Sequence, residues 1–192
     1  NMITFTGSTG VGRVVAKQAA EYLKPSVLEL GGSDPYLIFD DAELKNAVEK
    51  CAQSRWLNTG QSCISAKRII VIDEIYDEFM EQFLAFAQQY EFINPLSRPF
   101  DGYFVGPMAR LDLRDQLAKQ VSDSIDLGAC CELGGQIPDG KGAYYPVTVL
   151  SNVSPGMPAF DQELFGPVAA IIRAKDDQNM IALANKTTYG LG

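Results

Sequence analysis

The chain has 192 residues, 46% of them hydrophobic and 21% charged, with a formal net charge of −8, which is typical of a globular domain with its own core. The acidic balance argues against nucleic acid and anionic membranes as partners, and no apolar stretch is long enough for a membrane span. The absence of histidine excludes Ser-His-Asp and Cys-His catalysis and histidine-containing metal sites. Any catalysis must therefore come from carboxylates, from a thiol activated without histidine, or from a bound cofactor.

Apolar runs typical of buried strands alternate with helical patterns along the chain. This alternation predicts an α/β fold with a mostly parallel, open sheet and helices on both faces. The predicted strands are Ile3–Thr6, Val27–Leu30, Tyr36–Phe39, Arg68–Ile72, Ala129–Leu133 and Val168–Arg173. The predicted helices are Val11–Leu23, Asp41–Trp56, Glu74–Phe92, Ala109–Leu127 and Asp177–Lys186. The segments Asp101–Arg110 and Pro138–Pro146 are predicted to be exposed loops.

The first predicted strand runs into a glycine-rich turn at a predicted helix start, Gly7-Ser8-Thr9-Gly10-Val11-Gly12. Free backbone N–H groups and the positive end of a helix dipole favour a phosphate or another anion at such a junction. Gly7 and Gly12 have the spacing of a P-loop, but Arg13 replaces the phosphate-binding lysine and Val14 replaces the hydroxyl that holds Mg²⁺. The turn is an anion site or a plain strand–helix connection, and a P-loop is the weakest alternative.

A carboxylate, Glu29, stands at the end of the second predicted strand, immediately before Leu30-Gly31-Gly32. Such a side chain is either a solvated charge or a base held at the carboxyl edge of a sheet, where open α/β sheets place their sites. Both interpretations remain open for Glu29 when it is considered alone.

A thiol, Cys63, lies in a polar turn that follows a helix expected to end near Trp56. Its small polar neighbours, with Lys67 and Arg68 just behind it, make it a candidate nucleophile. The alternative is an incidental loop cysteine.

The other three cysteines have no predicted catalytic role. Cys51 belongs to the core-facing side of the second helix, which is formed by Leu44, Ala47, Val48, Cys51, Ala52 and Arg55. Cys130 and Cys131 are adjacent on a predicted strand, so their side chains point to opposite faces. Because the four cysteines form no C-x-x-C pair and no regular framework, their spacing favours a reducing, cytoplasmic location.

Four segments together resemble the aldehyde dehydrogenase family, and they occur in that family's order along the whole chain. They are Phe5-Thr6-Gly7-Ser8-Thr9 with Gly12, Glu29-Leu30-Gly31-Gly32, Gly60-Gln61-Ser62-Cys63 and Glu163-Leu164-Phe165-Gly166-Pro167-Val168. Each segment alone is a weak signal, whereas four in series are specific. Residues 60–68 and 157–167 are most similar to the succinate-semialdehyde dehydrogenase branch of the family.

The resemblance implies a catalytic role for Cys63 and for Glu29. Cys63 would attack an aldehyde carbonyl to form a thiohemiacetal, and its backbone N–H would partly hold the oxyanion. Loss of a hydride to NAD or NADP would leave a thioester. Glu29 would then act as the general base for the water that hydrolyses the thioester to a carboxylic acid.

The resemblance also implies the residues that would bind the cofactor, and no metal site. Ser8 would contact the pyrophosphate in the turn that contains Gly7 and Gly12. Glu163 would bind the hydroxyl groups of the nicotinamide ribose, and Phe165 would pack beside the nicotinamide.

A domain division follows from the resemblance as well. Residues 1–32 would be the C-terminal remnant of the cofactor-binding domain, and residues 33–192 a catalytic domain with a Rossmann-like fold, shortened at its C-terminus. Because family members are considerably longer, the chain is expected to be a piece of a longer, homo-oligomeric enzyme and to be inactive alone. A catalytically silent α/β module is the alternative from a different class, and a P-loop nucleotide-binding protein is the less favoured one.

Overall fold

The computed structural model describes residues 1–93, 96 and 102–191. The strands are β1 (Ile3–Thr6), β2 (Ser26–Glu29), β3 (Asp34–Ile38), β4 (Ala66–Ile72), β5 (Glu91–Phe92), β6 (Phe104–Val105), β7 (Cys130–Leu133), β8 (Thr148–Ser151) and β9 (Val168–Ala174). The α-helices are α1 (Thr9–Glu21), α2 (Leu44–Trp56), α3 (Asp73–Ala87), α4 (Leu111–Asp126), α5 (Pro158–Asp161) and α6 (Asp177–Asn185). Within these residues, no helix combines the length and apolar character needed to cross a membrane.

The central element is a five-stranded sheet with the strand order β3-β4-β9-β8-β7. Its neighbouring strands pair in parallel except at one edge, where β7 runs antiparallel to β8. Two further parallel pairs, β1 with β2 and β5 with β6, are separate from this sheet. The predicted α/β class with a mostly parallel, open sheet is confirmed.

Alternating apolar side chains on the central strands divide the core between the two faces of the sheet. Ile70 and Ile72 pack on one face with buried residues of α4, α5 and α6. Ile69 and Val71 pack on the other face with α2 and α3. The predicted placement of helices on both faces is therefore confirmed. Strands β4 and β9 lie in the interior of the sheet, between the two apolar layers.

All five predicted helices and all six predicted strands are present, and their ends differ from the predicted ends by a few residues. The third helix is shorter than predicted, because it ends at Ala87 and β5 (Glu91–Phe92) lies within the range assigned to it. The segment predicted as a loop from Asp101 to Arg110 contains the short strand β6, and Asp101 itself lies outside the described residues. The short elements β8 and α5 had no prediction. The segment Pro138–Pro146 is a loop as predicted, but it is not exposed throughout, because Ala143 and Tyr145 are buried.

A smaller unit precedes the central sheet and consists of β1, α1 and β2. Strands β1 and β2 pair in register from Ile3 with Ser26 to Thr6 with Glu29. Helix α1 packs against both strands through Gly12, which is buried. A methyl group at Gly12 would overlap Cδ2 of Leu30 and lie 3.0 Å from its Cδ1. Glycine at this position therefore allows the helix to approach the strand closely.

We predict that Gly12→Ala lowers the free energy of unfolding by about 1–2 kcal/mol relative to Gly10→Ala, because both methyl groups of Leu30 must move away while the two variants gain the same helix propensity. Gly10, in the same helix, has open space around it. Gly10→Ala should therefore leave stability unchanged or raise it by up to about 1 kcal/mol, since alanine is the better helix former. Urea unfolding combined with hydrogen exchange of the β1 and β2 amides measures both changes, and equal effects of the two variants would contradict the packing role of Gly12.

Candidate active site

The motif-bearing segments meet at the amino edge of the central sheet. Strands β3, β4 and β9 are neighbours and parallel, and their first residues are Asp34, Ala66 and Val168. The segments just before these strands contain the glycine pair that follows Glu29, the turn of Cys63, and the loop of Glu163 and Phe165. Three motifs that are far apart in sequence are therefore brought to one edge by strand order alone.

The nucleophile candidate follows an abrupt end of helix α2. The helix ends at Trp56, whose indole N–H donates to the carbonyl of Pro167 over 3.2 Å. A 3₁₀ turn follows, in which Asn58 and Thr59 both have left-handed backbone angles, with φ of 52° and 57°. These conformations are costly for residues other than glycine and occur where the surroundings enforce them. The chain then turns so that Cys63 is half-buried and carries a free thiol.

Glu29 lies at the carboxyl end of β2, where it is exposed and adjacent to the glycine turn. Its carbonyl accepts a hydrogen bond of 3.0 Å from the N–H of Gly7, which follows β1. Gly32, three residues after Glu29, packs against the main chain of Cys63. A methyl group at Gly32 would lie 2.8 Å from the Cys63 carbonyl oxygen. Only glycine allows this backbone-to-backbone approach. The segment from Glu29 to Gly32 therefore leads directly to the nucleophile candidate.

A buried arginine at the end of α2 joins the two loops that precede β4 and β9. The Arg55 guanidinium donates to the carbonyls of Gly60 and Leu164 over 3.0 and 2.9 Å, and also to the carbonyl of Gly166. Its other terminal nitrogen donates to the Ser65 hydroxyl over 2.7 Å. Burial lowers the pKa of Arg55, an effect that nearby Glu163 opposes. The guanidinium therefore relies on loop carbonyls in place of water.

A second buried cation, Lys67, lies directly beside Cys63. Its ammonium donates to the carbonyls of Ser62 and Cys63 over 2.8 and 2.7 Å, and forms an ion pair of 3.4 Å with Oε1 of Glu163. The same oxygen of Glu163 accepts a hydrogen bond of 3.2 Å from the N–H of Gly32. Burial and the neighbouring Arg55 lower the pKa of Lys67, and Glu163 counteracts both.

Glu163 and Phe165 both have surface to offer to a ligand. The Glu163 side chain is 18% exposed, and Phe165 is 38% exposed. In contrast, Arg68 is turned away from the site. It is fully buried and donates to the carbonyls of Ser33, Leu183 and Ala184, so it fastens α6 to the start of β3. Of the two cations that follow Cys63 in sequence, only Lys67 contacts it.

The glycine turn after β1 has the properties of an anion site. Ser8 is the exposed N-cap of α1, and its hydroxyl accepts a hydrogen bond from the N–H of Val11. Space around Gly10 is open, so a ligand can approach the first turn of the helix and its N–H groups. Gly12, in contrast, is buried against Leu30 and contributes to packing.

The remaining cysteines lie apart from this arrangement. Cys51 is buried in the core next to α3, and burial raises the pKa of its thiol to about 12. Cys130 and Cys131 are exposed on the edge strand β7. Within the described residues, no group of three or more cysteine or carboxylate side chains is arranged to hold a metal ion.

The role of Arg55 could not be predicted from the sequence, in which this residue follows the helical period of the core-facing side of α2. Two of its partners are carbonyls more than 100 positions away, in the loop before β9. The only available signal was an arginine at a position where the pattern required an apolar residue. The sequence places Lys67 close to Cys63. Its ion pair with Glu163 could not be predicted in the same way, because it depends on the adjacency of β4 and β9.

Comparisons with known proteins identify the family to which the chain is similar. The Aldehyde dehydrogenase family matches residues 1–192. The succinate semialdehyde dehydrogenase (NAD(P)+) Sad of Escherichia coli (strain K12) is 46% identical over 189 residues, which are 98% of this chain and 40% of that protein. The succinate-semialdehyde dehydrogenase (NADP(+)) of Deinococcus radiodurans is 43% identical over 190 residues, 99% of this chain and 39% of that protein.

Solved structures give the same result. The lactaldehyde dehydrogenase of Escherichia coli superposes with a TM-score of 0.95 at 35% identity, over 99% of this chain and 39% of that one. The chain therefore spans about 40% of the length of the relatives it matches.

We predict that Arg55→Met lowers the free energy of unfolding by about 3–5 kcal/mol, because loop carbonyls lose a buried charged donor. Arg110→Met is the matched control, since Arg110 forms an exposed pair with Asp112 and should leave the unfolding midpoint unchanged. Denaturant unfolding of both variants measures the difference. Equal midpoints for the two variants would show that Arg55 does not hold the loops together.

Proposed function

The chain belongs to the aldehyde dehydrogenase family, and on this basis we propose that it carries the catalytic thiol of an NAD(P)-dependent enzyme that oxidises succinate semialdehyde to the corresponding acid. The observation that carries the proposal is the meeting of the Glu29, Cys63 and Glu163 segments around Gly32 and Lys67. Residues 1–32 are then the end of the cofactor-binding domain, and residues 33–192 belong to the catalytic domain. Because the chain covers about 40% of its relatives, turnover belongs to the whole enzyme and not to this piece alone.

Cys63 is the proposed nucleophile. Its thiol releases its proton to water, and the sulfur forms a bond to the aldehyde carbon while the carbonyl double bond opens to an oxyanion, which the Cys63 N–H helps to stabilise. The half-buried thiol is accessible to a small substrate, and hydrogen bonds from Lys67 to the carbonyls of Ser62 and Cys63 hold the main chain of this turn in place.

Glu29 is the proposed general base of the hydrolytic step. Its exposed position at the end of β2 gives the carboxylate access to water. It removes a proton from a water molecule as the water oxygen attacks the thioester carbon. The carbon–sulfur bond then breaks, the acid leaves, and Cys63 regains its proton.

The residues present fit a dinucleotide cofactor. Ser8 and the open first turn of α1 suit the pyrophosphate, with Gly7 in the same turn and Gly12 allowing the helix to lie close to β2. Glu163 offers carboxylate oxygens for ribose hydroxyls, and exposed Phe165 offers an apolar surface for the nicotinamide. When bound, this cofactor supplies the acceptor for the hydride that leaves the substrate carbon on Cys63.

The proposed substrate follows from the relatives that are 43–46% identical, which are named as succinate semialdehyde dehydrogenases. Leu57, which is 69% exposed before the Cys63 turn, carries no charge for the far carboxylate of this substrate. That carboxylate must therefore be bound elsewhere in the whole enzyme. We further propose a cytoplasmic homo-oligomer, and the four free cysteines are compatible with a reducing compartment. The match to the aldehyde dehydrogenase family favours the proposed dehydrogenase over a P-loop nucleotide-binding protein.

We predict that Glu29→Gln in the intact enzyme preserves a burst of reduced cofactor equal to one equivalent per active site. Steady turnover should fall by about 10²- to 10⁴-fold, because the thioester forms but is no longer hydrolysed. Rapid-mixing kinetics with succinate semialdehyde and NADP or NAD separates the two phases.

Glu21→Gln is the matched control, since Glu21 is an exposed carboxylate at the end of α1 and should retain both phases. If burst and steady turnover of Glu29→Gln decrease by the same factor, Glu29 is not the hydrolytic base. If the unaltered enzyme reduces neither cofactor with any aldehyde, the chain belongs to a catalytically silent protein.

A further inference from the structure

Lys67 is a fully buried ammonium that the proposed chemistry has not yet used. Its side chain is 1% exposed, and three oxygens surround it: the carbonyls of Ser62 and Cys63 and Oε1 of Glu163. Two of its three N–H donors are bonded to the carbonyls, and the Glu163 carboxylate balances its charge at ion-pair distance. Each oxygen belongs either to the nucleophile turn or to the proposed cofactor-binding acid.

The contacts of Glu163 extend this connection to the segment of Glu29. Oε1 of Glu163 accepts from the N–H of Gly32, and its other carboxylate oxygen occupies the space where a side chain at position 31 would lie. Gly32 in turn lies against the Cys63 carbonyl. The Lys67 ammonium, the Glu163 carboxylate and the Gly32 N–H therefore form one continuous polar bridge between three separate segments.

We propose that Lys67 is a positioning residue that fixes the main chain of Cys63 and the carboxylate of Glu163 relative to each other, so that the thiol and the cofactor keep one alignment. This inference rests on the proposed roles of Cys63 and Glu163. Arg55 cannot substitute for Lys67, because its guanidinium is already engaged by Ser65 and by the carbonyls of Gly60, Leu164 and Gly166. Among the residues described, Lys67 is the cation that contacts both the Cys63 carbonyl and the Glu163 carboxylate.

The electrostatic environment of Lys67 contains a second cation, Arg55, and one carboxylate, Glu163, which acts on both cations. Arg55 and Lys67 act on each other as like charges, and Glu163 stabilises both. Loss of the Lys67 charge would leave the Gly32 N–H as the direct polar partner of the Glu163 carboxylate among the described residues, so the orientation of the carboxylate would be less constrained. The cofactor would then lose a pre-oriented acceptor, and the Cys63 turn would lose two hydrogen bonds.

The test is a double-mutant cycle on the intact protein with Lys67→Met, Glu163→Gln and the double variant. Binding constants for NAD and NADP are measured by titration, which requires no turnover, and kcat is measured where the enzyme is active. We expect each single variant to weaken cofactor binding about tenfold, and the double variant to be no more than about twofold weaker than Glu163→Gln. Lys67→Met should also lower kcat about tenfold, whereas Lys175→Met, at an exposed lysine, changes neither quantity.

A purely structural lysine would give a different result. If the two single effects multiply in the double variant, Lys67 acts independently of Glu163 and the inference is overturned. If Lys67→Met does not fold, Lys67→Gln takes its place in the cycle, because its amide keeps a donor for the carbonyls but offers Glu163 no charge. If the unaltered protein binds neither NAD nor NADP, both the proposed function and this inference fail, whereas binding with independent effects overturns the inference alone.

Discussion

The arrangement depends on two buried cations that have no water to solvate them. Arg55 and Lys67 lie under the turn of Cys63, and each must replace its lost hydration with oxygens of the chain. Those oxygens come from the loop before β4 and from the loop before β9, which are about 100 residues apart in sequence. Burial of the charges therefore requires that the two loops stay together. Because burying the two cations without these oxygens would be costly in free energy, the loops that supply the oxygens are held in one geometry around the site.

The central sheet makes this constraint possible, because it places β4 between β3 and β9 with all three strands parallel. Their amino ends then gather the connections that carry Cys63, Glu163 and the glycine pair. Open α/β sheets commonly bind ligands at the carboxyl edge of their strands. Here Glu29 ends its strand at the carboxyl edge of the β1–β2 pair. Cys63 and Glu163, in contrast, lie at the amino edge of the central five-stranded sheet. The candidate site lies where these two edges face each other.

Much of the fold could be predicted from the sequence, because apolar runs such as Val168–Arg173 and the helical period of α2 are strong local signals. The short elements β5, β6 and β8 escaped prediction, since two to four residues are too few to show a period. The motifs predicted the candidate side chains, and one of their glycines has a clear packing role: Gly32 leaves room for the Cys63 backbone. The roles of Arg55 and Lys67 could not be predicted, because their partners become neighbours only through strand order.

The most direct test of the account is to locate the covalent intermediate. The intact enzyme is mixed with succinate semialdehyde and NADP, quenched in acid within the first turnover, digested and examined by mass spectrometry. We expect one acyl group per active site, attached to the peptide that contains Cys63 and absent from peptides of Cys51, Cys130 and Cys131. Reduced cofactor formed without an acyl group on Cys63, or an acyl group on another cysteine, would contradict the assignment of the nucleophile and the site built around it.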